Sequence, residues 1–134
     1  MNGLRLKKRL IEICYDKNPD VLCLGECDVD ILLRLDVLKL HSLHDRDTGH
    51  YEDNTHDLVL FYHSFDKLTL HQKDLIVRGA VRVLKPGGLL LLYMKNLDQE
   101  MDNFENYVKS IGCTLLVSEV TEKYIWVEVQ KNAN

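Results

Sequence analysis

The chain has 134 residues, 46% of them hydrophobic and 28% charged, with 17 Lys and Arg against 21 Asp and Glu for a formal net charge of -4. This size excludes two compact domains and supports one, able to bury roughly 65 to 70% of the surface its unfolded chain exposes. The mild acidity leaves no electrostatic footprint for nucleic acid or an anionic membrane, so neither is an expected partner.

The longest apolar run, Gly87 to Met94, falls far short of the roughly 20 residues that span a bilayer. Met1 to Lys8 carries basic residues but leads into Ile11-Glu12-Ile13-Cys14-Tyr15-Asp16, not into the long apolar core of a secretion signal. A single cytoplasmic domain over residues 1–134 is expected, with Cys14, Cys23, Cys27 and Cys113 as reduced thiols.

In chain order, Leu4, Leu6, Leu10, Ile11 and Cys14 predict a helix over about residues 3 to 16, stopped at Asn18-Pro19-Asp20. Val21-Leu22-Cys23-Leu24, ended by Gly25, reads as a strand buried on both faces. Asp28 to Leu35 is dense enough in apolar residues for a short buried helix, and Val37, Leu38 and Leu40 give a second strand near 37 to 41. His44 to Thr55 is a polar loop, and residues 57 to 62 form the next buried strand. Thr69 with Gln72 makes a capping box for a helix whose apolar residues are Leu75, Ile76, Ala80, Val81 and Val83, ended by Pro86-Gly87-Gly88. Leu89 to Tyr93 is the most hydrophobic strand. Met101, Phe104, Tyr107, Val108 and Ile111 mark a helix that stops at Gly112, and strands near 113 to 120 and 124 to 130 close the chain. Tyr124 and Trp126 in the last strand read as one covered sheet face. This order of elements is α/β, with a mostly parallel twisted sheet, helices on both sides, and a terminal hairpin adding one antiparallel edge strand.

The run Arg82-Val83-Leu84-Lys85-Pro86-Gly87-Gly88-Leu89-Leu90-Leu91-Leu92 resembles the helix-to-strand turn of class I S-adenosylmethionine-dependent methyltransferases. Tyr51-Glu52-Asp53-Asn54-Thr55-His56-Asp57-Leu58-Val59-Leu60 is similar to that family's stretch leading into its fourth strand, and the closing helix with two strands is how its fold ends. The resemblance is strongest from about residue 50 to 130. It implies a minimal Rossmann-like domain with S-adenosylmethionine as cofactor. The Pro-Gly-Gly turn itself shapes the chain and does no chemistry.

In that family the first strand ends in an acidic residue followed by a Gly-x-Gly-x-Gly loop, since a glycine-lined turn lets the backbone approach the cofactor. Here Cys23 stands at the acid's position, Gly25 at the first glycine, and Cys27 and Val29 at the other two. Only about 30 residues separate Gly25 from Asp57, so at least one strand and helix unit of the family is missing. The resemblance implies cofactor contacts at Cys23, Gly25, Glu26, Cys27, Asp45 and Asp53, with Asp36 and Asp47 as further candidates for the ribose. Tyr62 and His63 follow a core strand at the carboxyl edge, where open α/β sheets place ligands, and are the candidates for orienting a methyl acceptor and taking its proton. The spacing of His41, His44, His50, His56 and His63 with Cys23 and Cys27 does not make a zinc site, and no metal is expected. Two functions follow as expectations. One is a small S-adenosylmethionine-dependent methyltransferase of weak or lost activity, and the other is a non-catalytic domain that keeps the fold as a protein-interaction or homodimerisation module.

Overall fold

The computed structural model describes residues 3–14, 19–24, 39–43, 51–61, 68–95, 101–120 and 124–133. Its elements are α1 (Gly3–Cys14), β1 (Asp20–Leu24), β2 (Lys39–Leu43), β3 (His56–Phe61), α2 (Leu70–Val83), β4 (Leu84–Lys95), α3 (Met101–Ser110), β5 (Cys113–Val120) and β6 (Tyr124–Lys131). The predicted helix over Asp28 to Leu35 lies outside the described residues.

The six strands form one sheet in the order β2-β1-β3-β4-β6-β5. β1 pairs in parallel with β2 and β3, and β3 with β4, whereas β6 runs antiparallel to both β4 and β5. The expected α/β architecture is therefore present, with one change. The antiparallel strand of the terminal hairpin is the inner one, β6, while the edge strand β5 runs parallel to β4. Inserting β6 gives it a strand partner on both sides and leaves β5 at the rim.

Alternation along the strands divides the core. Leu22, Leu24, Val59, Phe61, Leu90, Leu92, Val127 and Val129 pack in one cluster with Ile76, Val77, Ala80 and Val81 of α2 and Val108 of α3. α2 starts as the sequence predicts, since the Thr69 hydroxyl accepts from the Gln72 amide and the Gln72 side chain accepts from the Thr69 amide. Leu75, expected in the buried stripe, is instead exposed. α3 ends ahead of Gly112, whose φ of 80° suits a glycine at a helix terminus.

The opposite face carries Trp126 and Glu128, only 2% and 1% exposed, so this face is covered as expected. Arg9 of α1 donates from Nε to both carboxylate oxygens of Glu128, at 2.8 and 2.7 Å, and from Nη2 to Oε1. Trp126 Nε1 adds a 3.2 Å bond to the same carboxylate. This pair ties α1, with buried Leu10 and Cys14, across the sheet from α2 and α3.

The Pro-Gly-Gly segment corrects one boundary. α2 ends at Val83, with Leu84 already extended, so Pro86 lies beyond the helix. His56 pairs with Leu84 and Leu58 with Leu89, so Lys85-Pro86-Gly87-Gly88 bulges out opposite Asp57 alone. Gly87 takes a φ of 84°, and a Cβ on Gly88 would stand 2.9 Å from the Lys85 carbonyl oxygen. Both positions require glycine, the first for its backbone and the second for space.

The cysteines also differ from expectation. Cys14 and Cys113 are free and buried, but Cys23 is disulfide-bonded. Residue counts and compartment do not report which sulfurs the fold brings together.

Two predictions follow from these contacts. Arg9→Ala leaves Glu128 buried without its cation and should cost about 3 kcal/mol in urea unfolding, whereas the double replacement Arg9→Leu with Glu128→Leu should recover most of it. Between the helices, the Tyr107 hydroxyl donates to Asp74 at 2.6 Å, and Arg78 donates to the same oxygen at 2.8 Å. Tyr107 first, then Arg78, hold the Asp74 carboxyl below its ordinary range. This contribution is complete above the unfolded carboxylate pKa, roughly 4, and is lost as pH falls through the lowered folded value. Tyr107→Phe should thus lower stability near neutrality, with its curve converging on the parent's in acid.

Candidate functional site

Three adjacent parallel strands, β2, β1 and β3, end together at the carboxyl edge. Leu24 pairs with Leu43, and Cys23 lies in register between Ser42 and Leu60. β2 lies on one side of β1 and β3 on the other, so the chain's crossovers diverge at the β1–β3 boundary. Such a reversal opens a crevice beyond the strand ends, because the connections leave it to opposite sides. Its described floor is apolar and closed, with Leu24 1% and Phe61 0% exposed.

The expected site residues divide between this edge and the other. Gly25, Glu26 and Cys27 follow Leu24 in sequence, Tyr62 and His63 follow Phe61, and Asp45 follows Leu43 by two residues; all six lie outside the described residues. Cys23 is described, fully buried and disulfide-bonded. At the position where the resemblance implies an acid, this edge therefore presents a buried sulfur in a disulfide and no carboxylate.

Asp53 sits at the opposite end of the sheet. It precedes β3, is exposed, and its Oδ1 accepts from Arg82 Nη1 at 2.7 Å. A six-residue strand spans roughly 20 Å, so Asp53 is not grouped with the β1–β3 edge. The signal was in the sequence, because residues that lead into a parallel strand lie at its amino end.

That amino edge is held by residues the sequence reading did not single out as a group. The Asp20 amide donates to Asp57 Oδ2 at 2.8 Å, and Lys85 Nζ lies 3.5 Å from Asp20 and 3.4 Å from Asp57. Asp57 first, and Asp20 with it, raise the Lys85 ammonium above its usual pKa. Amides of Asn54 and Thr55 donate to the carbonyls of Arg82 and Val83 at 3.0 and 2.8 Å. Lys131 Nζ donates to the Leu84 carbonyl and to Asn54 Oδ1, both at 2.8 Å. These bonds close the end of α2 and fasten the starts of β1, β3 and β4; their role is structural. Among the described residues no three His, Cys, Asp or Glu side chains gather to hold a metal ion, and no helix is long and apolar enough to cross a membrane.

A family profile described as a methyltransferase domain matches residues 13–92. The chain belongs to this methyltransferase-like family. The match includes the first strand, where the sequence departs most from the pattern, and bears out the resemblance seen at the Pro-Gly-Gly turn. No curated protein sequence matches the chain. Solved structures of low identity share the fold of this methyltransferase-like domain. The Burkholderia thailandensis 1,6-didemethyltoxoflavin-N1-methyltransferase, solved with 1,6-didemethyltoxoflavin and S-adenosylhomocysteine, is 10% identical with a TM-score of 0.70, covering 97% of this chain and 78% of its own. The [4+2]-cyclase SpnF is 13% identical with a TM-score of 0.70, covering 97% and 81%. A chain from a complex that contains the Haloferax volcanii Trm112 methyltransferase activator is 10% identical with a TM-score of 0.65, covering 97% and 95%.

Proposed function

We propose that this domain binds S-adenosylmethionine at the carboxyl edge between β1 and β3, and that its methyl-transfer activity is weak. The observation that carries the reading is the reversal of strand order beside β1, the feature of open α/β sheets that creates a ligand crevice. The S-adenosylhomocysteine bound by the Burkholderia relative supports the ligand class. In this reading Gly25, Glu26 and Cys27 line the cofactor, and Asp45 accepts a hydrogen bond from its ribose. Tyr62 orients the methyl acceptor and His63 takes its proton. Bound S-adenosylmethionine would supply the activated methyl group, while the protein's own share is to hold and align the acceptor.

Weak binding follows from the replaced acid. A hydrogen bond to a charged group contributes about 1.5 to 3 kcal/mol, so replacing the acid by Cys23 lowers affinity by about 10- to 100-fold.

The second reading is a non-catalytic methyltransferase-like module that binds a protein partner or dimerises. The buried, disulfide-bonded Cys23 favours it. So does the variety of this fold, which SpnF uses as a cyclase and the Haloferax relative in a complex with an activator protein.

Isothermal titration with S-adenosylmethionine and S-adenosylhomocysteine separates the two. Saturable binding is expected, abolished by Gly25→Val with the folded circular dichroism spectrum retained, and unchanged by Asp53→Ala. Absence of binding at millimolar ligand would give the second reading, and undiminished binding by Gly25→Val would sink the assigned position.

A further inference from the structure

We propose that the outer edge of β5 pairs with β5 of a second copy of this chain across a twofold axis. β5 closes the strand order on one side, and among the described residues its only strand partner is β6. With 8 residues it is longer than β2, the 5-residue strand at the other edge. Its sequence, Cys-Thr-Leu-Leu-Val-Ser-Glu-Val, contains none of the lysines or prolines that usually blunt a sheet edge. It does contain an irregularity, since the β6 register passes from Leu115 to Val117 and skips Leu116. Bulges commonly protect edges, yet this one presents a leucine that is 46% exposed instead of a charge.

The strand's own sequence argues for a second copy as the occupant. In an antiparallel pairing centred on Leu116, that leucine faces its twin, Leu115 faces Val117, Thr114 faces Ser118, and Glu119 faces Cys113. Apolar residues meet at the axis, and the strand's single charged residue meets a neutral one, so no like charges are opposed. Such an isologous contact closes on itself and joins the two sheets into one. The proposal does not depend on S-adenosylmethionine binding, since β4 and β6 lie between this edge and the β1–β3 boundary.

Sedimentation equilibrium of the full chain over a wide concentration range tests it. A reversible dimer is expected. Leu116→Lys, which sets two ammonium groups face to face on the axis, should raise its dissociation constant by about tenfold or more. If circular dichroism finds that variant unfolded, Leu116→Glu, which opposes two carboxylates at the same exposed position, carries the same expectation. A monomer at every concentration would overturn the proposal, and so would a dimer that the folded charged variant leaves unchanged.

Discussion

A carboxylate buried inside a sheet needs a cation, and Glu128 has one. It lies 1% exposed on β6, the strand inserted between β4 and β5, where desolvation would cost several kcal/mol without a partner. Arg9 reaches it with a forked set of bonds from 119 residues away. That geometry fixes α1 over one face of the sheet while the apolar cluster fixes α2 and α3 over the other. The buried run Val21 to Leu24 of β1 can then pass through the middle of a three-layer domain, and its end becomes a defined place in space.

The two edges of the parallel strands do different work. At the amino edge, side chains and amides from the segment before β3, the end of α2 and the tail of β6 interlock through Lys85, Arg82 and Lys131. At the carboxyl edge the strands stop at buried apolar residues, Leu24 and Phe61. Binding sites in open α/β sheets are built at that edge, because rigid strands position the residues that follow them. The same logic lets one fold serve methyl transfer, cyclisation or partner binding without altering its core.

Much of this was legible in local sequence. Short apolar runs ended by glycine or polar residues located the strands, and β5 was recognised with its observed bounds. Thr69 and Gln72 announced the start of α2 through a bond pattern that four neighbouring residues determine alone. What local pattern could not carry was pairing. Whether β5 or β6 lies inside depends on partners elsewhere in the chain, and Glu128 looked like an ordinary polar residue until Arg9 met it. Leu84 to Gly88 read as a break, because proline and glycine interrupt regular structure, yet the strand pairs on both sides of the bulge. The candidate site was legible only in outline. Its strand ends and their reversal are described, Asp53 belongs to the opposite edge, and Cys23 carries a disulfide in place of the expected thiol.

The central claim is that ligand chemistry in this domain belongs to the carboxyl edge of β1 and β3. Amide chemical-shift mapping during titration with S-adenosylhomocysteine tests it most directly. The account predicts dose-dependent shifts for Leu24, Leu43 and Phe61, with Asn54, Thr55 and Lys131 unmoved at the far edge. Shifts confined to the amino-edge residues would contradict it.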